Sequence, residues 1–194
     1  MEIQEKQIED LIINSIESND YAKLVNRGLT SILKYKKFYR QVHLGDYGRA
    51  DLIGLKYNYF KNRDKTIMKS FECCVIEIKK GIIDYNAFIQ AVRYCKALEK
   101  IFSSYKMFGK FEIILIGTSI CKTDFCYLPD IMNNVKIYTM ELDLDYGITF
   151  KDECNYEHAS SNKIIVSDLI INDLKNHIKS EIKEGVNWGE DLPF

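Results

Sequence analysis

Three ionisable side chains stand where apolar ones are expected. Glu77 and Lys79 lie in the run Val75-Ile76-Glu77-Ile78-Lys79-Lys80-Gly81, and Asp51 lies among Ala50, Leu52, Ile53 and Leu55. Val75, Ile76 and Ile78 are β-branched, as a buried strand favours. On a strand successive side chains alternate faces, so Glu77 and Lys79 share one, with Cα atoms about 6–7 Å apart. Charges on an apolar strand cost free energy unless something compensates them, and such placements cluster where chemistry is done. Taken alone, the pair also fits a strand leaving the core with Glu77 and Lys79 paired in solvent. Asp51 also fits turn chemistry, since it follows Gly48 closely; its apolar neighbours on both sides argue against that. With Glu9 able to approach from the first helix, three carboxylates and a lysine around one point would suit a hard divalent ion. Mg²⁺ takes oxygen ligands, keeps several waters, and can polarise an attacking one. A lysine beside it can orient or help deprotonate that water and offset developing phosphate charge.

The elements that must bring these residues together can be read in order. Residues 2–18 carry Ile3, Ile8, Leu11, Ile12 and Ile16 at mostly helical spacing. Glu5 and Glu9 share a face of that helix, and Glu9 borders the apolar stripe, so it can reach inward or stay solvated. A second helix is expected over Tyr21 to Leu33, weakened by Gly28. Phe38 to Leu44 and Arg49 to Tyr57 read as a hairpin around Gly45-Asp46-Tyr47-Gly48. The mixture of basic and aromatic residues over 34–40 fits an edge strand, or a nucleic-acid contact. Residues 58–70 read as a basic loop exposing Lys61, Arg63, Lys65 and Lys69, either simply solvated or touching phosphates.

After the motif strand, Phe71 to Lys79, Asp84 caps a helix running to about Phe102. Gln90 and Tyr94 lie four apart on it, with Arg93 and Lys96 alongside. Phe111 to Gly117 is apolar throughout, as in a central strand covered on both faces. Val135 to Leu142 is a further strand, 143–162 is polar and poorly patterned, and a last helix begins at Ser167 or Asp168. The expected division is a core domain over 1–142 and an extension over 143–194 packed on it with a loose tail.

Composition narrows the partners. Lys plus Arg number 27 against 28 for Asp plus Glu, a net charge of −1. A whole-surface footprint for nucleic acid is therefore excluded, and a polyanion must be met by a local patch or through a metal ion. The N-terminus is acidic without an apolar core of a signal segment, and no run of about 18 apolar residues occurs. The expectation is a cytoplasmic chain with no membrane partner and reduced thiols. Cys121 and Cys126 lack the spacing of common zinc knuckles.

Gly48-Arg49-Ala50-Asp51-Leu52-Ile53, then Glu77-Ile78-Lys79, then Gln90-Ala91-Val92-Arg93-Tyr94 form a series that resembles the PD-(D/E)XK nuclease superfamily. RecB-like and NucS-type endonuclease domains have a similar G-R-x-D-L, E-x-K and Q-x-x-x-Y succession. The resemblance covers about residues 2–117; Ala50 stands where many members carry proline. It implies an α/β (α+β) restriction-endonuclease-like core, αβββαβ, with a mixed central sheet flanked by helices, here with an extra C-terminal strand and helix. It also implies Mg²⁺-dependent hydrolysis of DNA phosphodiesters, with Mn²⁺ able to substitute. On the matching positions Asp51 and Glu77 would be metal ligands, joined by the Ile78 carbonyl. Lys79 would be the catalytic lysine and Glu9 the first-helix acid, with Glu5 its alternate. Gln90 would join the catalytic set, with Tyr94 supporting it. Arg49, Lys61, Arg63, Lys65, Lys80 and Arg93 are the candidate nucleic-acid contacts. A homodimer cutting both strands is one expectation for the C-terminal helix; covering the sheet is the other. The competing expectation for the whole chain is a nuclease-like interaction module without catalysis.

Overall fold

The computed structural model describes residues 3–61, 67–104, 108–121 and 134–153. Their elements are α1 (Glu5–Glu17), α2 (Tyr21–Val25), β1 (Lys37–His43), β2 (Arg49–Lys61), β3 (Ile67–Ile78), β4 (Ile82–Ile83), α3 (Tyr85–Ser104), β5 (Phe108–Gly117), β6 (Ser119–Ile120), β7 (Val135–Asp143) and β8 (Gly147–Asp152). Six strands form one sheet in the order β1-β2-β3-β5-β7-β8, and β4 pairs with β6 apart from it. The sheet is mixed: β3, β5 and β7 run parallel, while β1–β2, β2–β3 and β7–β8 pair antiparallel. Strand parity splits the core in two. Cys73, Val75, Ile113 and Leu115 pack under Ala87, Ala91 and Leu98 of α3. Cys74, Ile76, Ile114 and Ile116 pack with Ile8 and Ile12 of α1. An apolar run covered on both faces by helices is the signature expected of central strands.

Three expectations change. The helix over Tyr21 to Leu33 divides into α2 and a 3₁₀ turn at Ser31–Lys34. Gly28 is the reason: its φ is +85°, and a Cβ there would fall 2.1 Å from the Phe150 carbonyl oxygen. A long helix is incompatible with that backbone. The basic loop contracts, because Asn58 to Lys61 pair with Ile67 to Ser70 as the arms of a longer hairpin. Tyr57, Tyr59 and Phe60 are strand formers, and pairing satisfies their backbone. The boundary at 142 also moves, because part of the polar stretch forms β8 and joins the sheet. The chain divides into units Met1–Tyr156 and Glu157–Phe194, and the described residues belong to the first. The last helix expected from Ser167 lies outside the described residues.

Candidate active site

Register places the first two acids. Leu52 pairs with Ile76, and Ile53 with Val75, so one further step sets Asp51 opposite Glu77. The β2–β3 ladder stops there. The Ile78 N–H instead donates to Asp51 Oδ2 at 2.8 Å, and Lys79 N–H donates to the Ile116 carbonyl at 2.8 Å. At the end of β3 lies a cleft of about 620 Å³ lined by Asp51, Glu77, Ile78 and Lys79. The far wall is one face of α3, with Asn86, Ile89, Gln90, Arg93 and Tyr94 at helical spacing.

Hydrogen bonds link the charges into a row. Lys79 Nζ donates to Glu77 Oε1 at 2.7 Å and to Gln90 Oε1 at 3.2 Å. Gln90 Nε2 donates to Tyr94 Oη at 2.7 Å. Tyr94 is buried beneath the turn before β2, where Gly48 has φ +109° and a Cβ would lie 3.1 Å from the Tyr94 ring. Gly48 is thus required both by its backbone and by the close approach.

Glu77 is only 2% exposed, and its Oε2 is buried without a hydrogen-bond partner among the described residues. Burial, reinforced by the Asp51 charge and opposed by Lys79, pushes its carboxyl up to about 7. Asp51 is raised as well, by burial, against the pull of the Ile78 N–H. Burial works against the Lys79 charge, but the Glu77 carboxyl bonded to it, together with Asp51 and Glu5, outweighs burial and leaves the ammonium raised. Lys79 here is a cation and a donor beside Asp51 and Glu77, and the raised proton affinity of both acids means that each gains from a further cation nearby.

The first-helix acids part company. Glu9 is buried, but Arg40 Nε donates to its Oε2 at 2.5 Å and Gln41 Nε2 to its Oε1 at 2.7 Å. It does not line the cleft, whereas Glu5 does. Glu5 Oε1 accepts the Lys80 N–H at 3.0 Å. Where the sequence suggested Glu9 as the third ligand, packing turns it to Arg40 and leaves Glu5 at the cleft. No group of three or more His, Cys, Asp or Glu side chains is arranged to hold an ion among the described residues. Asp51, Glu77 and Ile78 all line the cleft, and one or two carboxylates with waters suffice for Mg²⁺.

No family model, curated protein or solved structure matches this chain. The case for function therefore rests on the cleft.

Among the candidate nucleic-acid contacts, Arg49 and Arg93 line the cleft. Arg93 also donates to the Tyr47 carbonyl at 3.2 Å. Lys80 is exposed outside the lining, Lys61 ends β2, and Arg63 and Lys65 lie outside the described residues. Sequence reasoning missed Asn86, Ile89 and Gln41. The two on α3 were findable, as they share a helix face with Gln90 and Arg93. Gln41 carried no local signal. No helix is long and apolar enough to cross a membrane among the described residues.

Proposed function

We propose that the protein is a Mg²⁺-dependent DNA endonuclease with a restriction-endonuclease-like core. The observation that carries this reading is the buried, unpartnered Glu77 Oε2, opposite Asp51 in the sheet and beside Lys79 in an open polar cleft. Asp51, Glu77 Oε2 and the Ile78 carbonyl would hold the ion. When bound, Mg²⁺ supplies the polarisation that makes water a nucleophile and neutralises phosphate charge. Lys79 Nζ donates to the attacking water or to the phosphoryl oxygen, where negative charge develops. Gln90 fixes the Lys79 head at 3.2 Å, and Tyr94 fixes Gln90 from beneath Gly48. Arg49 and Arg93 on the cleft wall contact the flanking phosphates. Glu5 lines the same cleft and would add a further acceptor there.

Plasmid cleavage with Mg²⁺ or Mn²⁺ tests this. Wild type should nick or linearise DNA, and Asp51→Ala and Lys79→Ala should each lower the rate by about 10³-fold or more. Absence of cleavage by wild type on every DNA form, or unimpaired variants, would sink the reading. Calorimetric titration with Mn²⁺ separates the alternative. A chain that binds DNA without binding metal is an interaction module built on a nuclease-like sheet.

A further inference from the structure

Gln41 has φ +50°, in the left-handed region that a residue with a Cβ adopts at a cost. It sits within β1, whose register pairs Arg40 with Leu52 and Val42 with Ala50, leaving Gln41 opposite Asp51. One row across the sheet therefore reads Gln41, Asp51, Glu77, Leu115. Strain at a residue abutting a charged site calls for a reason.

The reason lies in what its amide spans. Gln41 Nε2 donates to Glu9 Oε1 at 2.7 Å and lies 3.4 Å from Asp51 Oδ1. Both neighbours are acceptors, so only the NH₂ end of the amide can face them, and its two hydrogens serve the two carboxylates. Glu9 belongs to the helix packed on the Leu52 face, whereas Asp51 has the opposite parity. A fully extended residue presents its side chain to one face; the kink at Gln41 lets one amide reach both. Glu9 is itself locked, since Arg40 donates to its Oε2 at 2.5 Å and to Asp10 Oδ1 at 2.7 Å. Asp51 Oδ2 is held by the Ile78 N–H, and among the described residues Gln41 is the group that meets Oδ1.

We infer that Gln41 is a positioning residue for Asp51: anchored by Glu9 and Arg40, its amide holds Oδ1 in the orientation a divalent cation needs. This rests on the metal-site reading above. Oδ1 keeps a second lone pair for the ion while it accepts from Gln41.

Mn²⁺ titration calorimetry on the full chain tests it, using Gln41→Asn and Glu9→Gln. Asn tolerates the left-handed backbone but is one methylene too short to reach Asp51. The expected result for Gln41→Asn is a Kd for Mn²⁺ raised about 10–100-fold at wild-type stoichiometry. The metal concentration for half-maximal plasmid cleavage should move with it. Glu9→Gln, which leaves Gln41 and its backbone in place, should raise Kd in the same direction and decides the matter if Gln41→Asn does not fold. A merely structural Gln41 would lower the stoichiometry, as the folded fraction falls, and leave Kd unchanged. That result, or a Kd within about twofold of wild type in both variants, overturns the inference. If wild type binds no Mn²⁺, the metal reading itself falls and takes the inference with it.

Discussion

Glu77 is a buried acid on the cleft wall. Its carboxyl is buried, one oxygen is unpartnered, and its proton affinity is raised from the ordinary 4.5 to about 7. Linkage fixes the sign of the consequence. The folded state holds the proton more tightly than the unfolded chain, so stability is highest below about pH 4.5 for this group and is lost as pH rises through about 7. The expected loss across that window is on the order of 1–3 kcal/mol in metal-free protein. Urea denaturation at several pH values checks it: wild type should weaken across the window, and Glu77→Gln should remove that slope. A wild-type curve rising through the same window would contradict the burial argument. On the proposed metal site, divalent cation should oppose the loss at neutral pH, because a ligand that binds the folded state alone stabilises it.

The elements matter here as holders of angle and distance. Helix α3 presents Gln90, Arg93 and Tyr94 to the cleft while Ala87, Ala91 and Leu98, on the adjoining stripe that Tyr94 shares, anchor it to the sheet. The turn before β2 then presses Gly48 onto Tyr94, with φ +109° and ψ −150°, a backbone region essentially reserved for glycine. Gly48→Ala is expected to cost about 1–3 kcal/mol in urea denaturation, from strain and from displacing Tyr94. Tyr94→Phe tests the same link more gently. It keeps the ring and removes the oxygen that accepts from Gln90. Stability should fall by only about 1 kcal/mol, while cleavage should fall about tenfold as Gln90 loosens its hold on Lys79. Equal losses of stability and rate in the two variants would instead make Tyr94 a packing residue alone.

Over the whole molecule, a net charge of −1 leaves little long-range attraction for DNA. On the proposed function, binding would come from local contacts, and Arg49 and Arg93 line the cleft. The salt dependence of DNA binding should therefore be shallow. Arg49→Ala and Arg93→Ala should each reduce the slope of log K against log salt by about 1, with little sequence dependence. Unchanged slopes would place the phosphates elsewhere. The sheet also sets a limit on truncation. A chain ending at residue 142 loses β8 and bares the β7 edge, along with Phe150, which packs in the α1-side core. Such a chain should aggregate or unfold cooperatively at lower temperature, as calorimetry and light scattering would reveal.

The sequence by itself determined what depends on near neighbours. Alternation of faces put Glu77 and Lys79 on one side of β3, helical spacing put Gln90 and Tyr94 together on α3, and Gly45 to Gly48 marked the hairpin. Each follows from local backbone geometry, which repeats every two or three to four residues. Tertiary structure alone decided the rest. Glu5 and Glu9 lie on the same helix face, yet the packing of α1 sends one to the cleft and the other to Arg40. Gln41 gained its place only from the register of β1 against β2, a pairing between residues ten apart whose alignment no local pattern states. Residues 147–152 pair as β8 along the edge of β7, and Gly28, at a positive φ, leaves room for the Phe150 carbonyl that approaches it from far along the chain. Long-range packing and register carry free energy that local propensity does not encode.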